Sequence, residues 1–460
     1  PFRKLDSPFY GLADSNNLKF FSLFCRHDVI TREHSININS KNTEMKRQLL
    51  KRLSQTVMTR IAPLLPLALM AGCSNNEPDK GRETDEPIAI DWSVEESDVA
   101  ENMEVMAFRM ISDYYSGAEE DQGIVIMSPY SAQVNMSMIS NGAGNATLEQ
   151  ARELFATDDL GVLNAMHKKL GDVLPRTDAK TKVKIVGNVW LNNGFKAQDA
   201  FSRSIADAYN AGVTNAALDS ESGRTAINSW ISDAAEGLIS EYLSAPLDEV
   251  SAFAVNAIYF NGEWTVPFKA ASPEVRKFYN IDKTETAVAY MQNQATVRYG
   301  EQPGVYQAVE IPFGNGSYAF TIYLPAEDVS VDDVLASLAS CPGAASQLEE
   351  IPLRVVMPKF KVAGRADLSA LWGQLGYPDL LGENSSYPGI CDREIKFGRM
   401  LQALYLDVNE RGAEMSAVTS TDDVTALSPG ELFTVDRPFA FTVSSPATGV
   451  VLMGGVVRKL

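Results

Sequence analysis

The stretch Phe433-Thr-Val-Asp-Arg-Pro-Phe-Ala-Phe-Thr-Val443 lies near the end of a chain of 460 residues. Taken locally, its aromatic and β-branched residues mark a strand that carries a proline at its edge. A second strand-rich run, Gly449–Val457, follows it. Working back, the same composition predicts strands at Val183–Leu191, Ala252–Phe260, Leu353–Phe360 and Met400–Val408, with Ala308–Pro312 and Tyr318–Leu324 paired around a Gly-Asn-Gly turn. Helices dominate the first half. Val99, Met103, Met106 and Met110 recur at helical spacing and give one apolar stripe on an acidic segment. Ser128-Pro129 opens a second helix with serine as N-cap and proline in the first turn, and Thr147-Leu-Glu-Gln150 has capping-box form. Further helical stretches are expected at about 197–211, 223–242 and 367–375. No internal repeat is visible. The implied fold class is α+β: N-terminal helices with large, mostly antiparallel sheets.

Composition agrees with a globular body. The chain is 45% apolar and 9% aromatic, enough to bury a sizeable core. Its net charge of −19 is unevenly spread, because residues 73–460 hold 29 basic and 54 acidic residues, a net of −25. Such a surface repels phosphate backbones, so no nucleic-acid partner is expected. It would draw in a cationic protein, or simply keep an exported one soluble. The four cysteines, Cys25, Cys73, Cys341 and Cys391, show no metal-ligand or disulfide-framework spacing. Cys341 and Cys391 are expected to stay unpaired, with a bridge as the alternative in an oxidising compartment.

The N-terminal region reads as an address. Met58–Cys73, MTRIAPLLPLALMAGC, combines a basic start, a short apolar run broken by two prolines, and small residues Ala71 and Gly72 ahead of a cysteine. The run is too short to span a bilayer as a helix. It is similar to a bacterial lipoprotein signal with its lipobox. That resemblance implies lipidation of Cys73 and a bacterial outer-membrane lipoprotein, surface-exposed or facing the periplasm, held to the membrane through its lipid alone. Residues 45–72 are then the signal, with Met45 or Met58 as the start, residues 73–91 a polar tether, and residues 1–44 an upstream segment that is not native to the protein. The folded domain is expected over 92–460.

Catalytic sets are hard to find. Of the three histidines, His27 and His34 fall in the leader, and His167 lies on an amphipathic helix, where a surface or boundary position is expected. No nucleophile elbow, phosphate-binding loop or dinucleotide fingerprint is present. Asp422-Asp423 reads as a solvated loop. No catalytic residue, metal ligand or cofactor is therefore assigned.

The opening stretch resembles the C-terminal signature of the serpin family. Other segments resemble the family in the same order: Met127-Ser-Pro-Tyr-Ser131, Asn188-Val-Trp-Leu191, Asn256-Ala-Ile-Tyr-Phe260 with Gly262-Glu-Trp264, Pro358-Lys-Phe360, the hinge Leu406-Asp-Val-Asn-Glu-Arg-Gly-Ala-Glu414 and the closing strand Gly449-Val-Val-Leu-Met-Gly454. The resemblance covers about 92–460. It implies a serpin fold with an exposed reactive loop near the C-terminus. It also implies a monomeric suicide substrate: a target serine protease cuts the loop, which inserts as a new strand into the central sheet while the protease stays ester-linked. Loop insertion in serpins is a standard example of strand addition and strain release. A metastable native fold is required.

The resemblance further places the hinge at Glu410, Gly412, Ala413, Glu414, Ala417 and Thr419. An inserting strand alternates its faces. With Ala413 inward, Met415, Ala417, Thr419, Thr421 and Asp423 also point inward, and Met415 and Asp423 are expected to slow insertion. Counting from Glu410 puts the reactive bond at Ala426–Leu427, with Leu427–Ser428 as the alternative. Ala426 suits an elastase-like protease and Leu427 a chymotrypsin-like one. Trapping of cysteine proteases and a non-inhibitory surface-binding role, for peptide or glycan, are further alternatives. Ser128, Ser131, Asn256 and Gln402 match the family's shutter, glutamine standing where many members have histidine, and Trp264 matches the breach where the loop enters.

Overall fold

The computed structural model describes residues 86–239, 242–247, 250–340, 348–413 and 431–460. Cys73, Glu414, Ala417, Thr419, Ala426 and Leu427 lie outside the described residues, as do Met415, Asp423 and Cys341. Ile88 already touches the body, donating its N–H to Thr177 Oγ1 at 2.8 Å.

The first helix, α1 (Val94–Ser116), starts at a capping box in which Ser93 and Glu96 bond reciprocally. Its buried side includes Val99, Met103, Met106 and Met110, the stripe expected from their spacing. Strand β1 (Ile124–Met127) leads into α2 (Pro129–Ser140), every residue of which is buried, with Ser128 as N-cap and proline in the first turn. Helix α3 (Asn145–Leu154) begins at Gly144 without a side-chain cap. The expected capping box does not form, because the helix already starts at Asn145 and puts Thr147 inside its first turn, where Thr147 Oγ1 and Gln150 Nε2 bond Asp379. Then come α4 (Leu160–Val173), β2 (Thr181–Asn192), α5 (Asp199–Tyr209), β3 (Ala211–Ala216), α6 (Glu221–Ala234) and β4 (Ala252–Glu263).

The second half is strand-rich: β5 (Lys269–Tyr279), β6 (Glu285–Gln302), β7 (Tyr306–Phe313), β8 (Tyr318–Pro325), helix α7 (Val331–Ser340), β9 (Glu349–Pro358), β10 (Phe360–Asp367), a single-turn α8 (Leu371–Gln374) and β11 (Leu401–Val408). The chain ends in β12 (Gly412–Ala413), β13 (Glu431–Thr434), β14 (Phe439–Ser445) and β15 (Val450–Val457). Two single expected strands are each two elements. Lys359 separates β9 from β10, and residues 435–438, with Pro438 lacking a ladder donor, separate β13 from β14.

Two sheets organise these strands. The larger runs β1-β15-β14-β8-β7-β6-β9-β13, with β5 on β6, and the six-stranded sheet runs β10-β11-β12-β4-β2-β3. Pairing is antiparallel except for β9–β13 and β2–β3. The opening stretch sits at the centre, its Phe439 and Phe441 packed with Phe320 and Phe360 in one aromatic cluster. The main core fills the space between the sheets around α2. A smaller cluster, Trp190, Leu218, Ile227, Ile231, Tyr242, Phe253, Val255 and Leu401 among it, lies on the other face of the six-stranded sheet under α6.

Candidate functional site

Strands β4 and β11 run parallel, because both are antiparallel to β12, the two-residue piece seated between their C-terminal ends. Gly412 lies opposite Glu263, and Ala413 lies opposite Gly262 on one side and Val408 on the other. Among the described residues β4 and β11 have no ladder with each other. Among the described residues, the sheet therefore contains a seam between two parallel strands, with another strand seated in it at its upper end only.

Gly412 has φ +154°, and a Cβ there would lie 1.9 Å from the Gly262 carbonyl oxygen. Only glycine lets the chain turn this closely against β4. The approach to the seam is fastened by Trp264, whose backbone N–H donates to Arg411 O at 2.9 Å and whose indole Nε1 donates to Asn409 O at 2.8 Å. Its ring is stacked on Phe313, centroids 4.4 Å apart. Phe268 N–H donates to Glu410 O at 2.8 Å. The Glu410 carboxylate accepts from Lys359 Nζ at 2.8 Å. Burial pushes the Glu410 carboxyl up, but the bond and charge of Lys359, with Arg411 nearby, outweigh it and hold the group below its usual range.

Lower in the seam, Ser128, Ser131, Asn256 and Gln402 come together and are all buried. Gln402 sits on β11 facing the N-terminus of α2. Its Oε1 accepts from Ser128 N–H at 3.0 Å and its Nε2 donates to Ser128 O at 2.7 Å. Ser128 Oγ donates to Leu452 O at 2.5 Å and accepts from Ser131 N–H, while Ser131 Oγ donates to Asn256 O at 3.2 Å. The four residues are thus joined through backbone groups. The Asn256 amide is left out: both its Nδ2 and its Oδ1 are buried without a hydrogen-bond partner. Gly187, opposite Asn256 on β2, leaves the space that this side chain fills. Both of the Gln402 hydrogen bonds go to Ser128, and its remaining amide hydrogen and lone pair make no bond to Asn256.

Two residues differ from expectation or were missed. His167 is buried, only 3% exposed, because it continues the core-facing stripe of α4 with Leu163, Met166 and Leu170. Its Nε2 lies 3.0 Å from Ser137 Oγ, and burial pushes the imidazole down to about 3. It is a neutral core side chain. Lys359 falls in the Pro358-Lys-Phe360 motif, which by itself gives it no role. The sequence expects it inside a single strand, and nothing local marks its ion pair with Glu410. Cys391 carries a free, buried thiol that donates to Arg393 O at 3.2 Å.

Comparison with known proteins agrees with this architecture. A profile of the family described as Serpin (serine protease inhibitor) matches residues 101–460. An uncharacterised serpin-like protein of Methanosarcina acetivorans is 25% identical over 383 residues, covering 80% of this chain and 89% of that protein. Human neuroserpin is 25% identical over 74% of this chain and 86% of its own length. Among solved structures, the native state of tengpin, a thermophilic serpin, superposes with a TM-score of 0.72 at 23% identity, covering 82% of this chain and 97% of that one. With a seam that holds the start of a strand, a glycine hinge and a family match over most of its length, the chain belongs to the serpin family.

Proposed function

We propose that the protein inhibits serine endopeptidases as a suicide substrate and is not itself an enzyme. The observation that carries this reading is the seating of Gly412–Ala413 between β4 and β11. A strand that has already entered a seam needs only release at its far end to continue into it. Protease attack at Ala426–Leu427 supplies that release: the enzyme's serine oxygen bonds to the Ala426 carbonyl carbon, the Leu427 amine leaves, and the freed segment extends β12 downward before water reaches the ester. Continued in register from Ala413, position 419 falls opposite Asn256 and Gln402 at once, so the Thr419 hydroxyl arrives beside the unpartnered amide. Ala426 favours an elastase-like target, and Leu427 as the residue before the bond favours a chymotrypsin-like one. The lipobox at Cys73 would hold this inhibitor at a bacterial outer membrane. Incubation of the full chain with neutrophil or pancreatic elastase should yield a covalent complex that survives SDS, and a cleaved form of markedly raised thermal stability. Cleavage without a complex would leave a non-inhibitory serpin, and no cleavage between 420 and 428 would remove elastases as targets.

A further inference from the structure

The seam is held in two different ways at its two ends. At the upper end β12 separates the strands. At the lower end, where β4 and β11 begin, one side chain reaches across. Tyr242 follows α6 and is fully buried. Its ring packs on Phe253 of β4, centroids 6.4 Å apart. Its hydroxyl donates to Leu401 O, the first carbonyl of β11, at 2.6 Å. Its own carbonyl accepts from Arg365 of β10 at 2.8 Å, and its N–H donates to Asn228 Oδ1 of α6 at 3.2 Å. The Asn228 side chain also closes on Leu243, accepting from its N–H at 2.7 Å and donating to its carbonyl at 2.9 Å, which fixes the segment to α6. Tyr242 therefore contacts both strands that flank the seam.

We propose that Tyr242 is a positioning residue that latches the lower end of the β4–β11 seam and sets the rate of the last stage of loop insertion; the proposal rests on the insertion reading above. In continued register, position 420 of an inserting strand comes opposite Leu401. Insertion down to 419 proceeds beside β11 without disturbing that carbonyl. Beyond it, Leu401 must move away from Phe253, and the hydroxyl bond must break or travel. The ring remains on β4, so what opens is the link from the Tyr242 oxygen to β11. The latch makes the native seam resist spontaneous insertion and delays the final turn of a cut loop.

Tyr242→Phe removes the hydroxyl and keeps the ring. The full chain is nicked in the loop with a zinc metalloprotease, which forms no acyl intermediate, and the gain in melting temperature is followed with time. Insertion is thereby read separately from inhibition. The expected result is a gain about five-fold faster than in the parent, the effect of one lost hydrogen bond on a barrier, together with faster amide exchange at 401–404 in the uncut protein. Val334→Ala, in α7 and away from the seam, serves as the comparison of lowered native stability and should keep the parent rate. An unchanged rate in Tyr242→Phe, or equal acceleration by Val334→Ala, overturns the latch while leaving insertion standing. A nicked parent that gains no stability overturns the insertion reading and the latch together.

Discussion

The upper and middle levels of the β4–β11 seam are built on opposite terms. At the top, every group that holds the hinge has its partner: Trp264 bonds Asn409 and Arg411, Phe268 bonds Glu410, and Lys359 pairs with Glu410. In the middle, Gln402 satisfies Ser128, and Asn256 carries a buried amide with no partner. A buried unsatisfied polar group costs about 1–3 kcal/mol. The fold thus secures the entrance to the seam and leaves its interior short of hydrogen bonds. A native state that must be able to change needs both features: an anchored start for the new strand, and a deficit that the new strand can repair.

Changes at the entrance should have the largest effects. Gly412→Val places a side chain against the Gly262 carbonyl in a backbone conformation that L residues avoid. The strain, about 1–3 kcal/mol for the backbone alone, should expel β12 from the seam. The measurable outcome is a lower native melting temperature and a loop that elastase cuts without forming an SDS-stable complex. Complex formation at the parent level would show that the seated residues are not the start of insertion.

Glu410→Lys sets two ammonium groups face to face where an ion pair stood. Both partners are partly exposed, so screening limits the loss to about 1 kcal/mol, read as a lowered unfolding midpoint in urea. The same pair gives a pH signature. The Glu410 carboxyl lies below its ordinary value of 4.5 in the folded protein. The unfolded chain therefore takes up the proton first. The stabilisation is fully present above about pH 4.5 and is lost as pH falls through the folded value. Glu410→Gln should flatten that acid limb of the stability curve, and an acid limb identical to the parent's would show that Lys359 does not hold the hinge.

These two levels also differ in how far the sequence disclosed them. The entrance was legible because its signals are local: Gly412 within a polar run, Trp264 next to a strand end, and aromatic Phe439 and Phe441 on strands buried on both faces. The first helix was legible for the same reason, its stripe being a property of one segment. Strand β5 was not, since most of its residues are exposed and no alternation marks it. The capping-box form at Thr147 is not realised, because the helix starts at Asn145 and both side chains bond Asp379, more than two hundred residues away. The deficit at Asn256 was hidden likewise. Asn256, Gln402 and Ser128 could each be named from the sequence, but which of them Gln402 would satisfy depends on the orientation of one amide in the assembled core.

The smallest effects test whether that deficit is repaired on insertion. Truncating a buried residue ordinarily destabilises a protein, yet Asn256→Ala removes an amide that contributes no hydrogen bond to the native state. The relief of its desolvation should offset the lost packing, leaving the native melting temperature near the parent's. In the cleaved form the balance reverses, because position 419 then lies opposite both Asn256 and Gln402. Removing the amide should cost that form about 1 kcal/mol, the worth of a hydrogen bond gained on insertion. Thr419→Val approaches the same bond from the other side: it keeps the shape, deletes the hydroxyl, and should lower the cleaved form by a similar amount with the native form unchanged. Combined, the two substitutions should cost little more than either alone, since both remove one interaction. Calorimetry of native and loop-cleaved protein for the four chains closes the cycle. Additive losses in the cleaved form, or an equal loss in both forms, would mean that the Thr419 hydroxyl never meets the Asn256 amide, and that the middle of the seam is repaired by backbone hydrogen bonds alone.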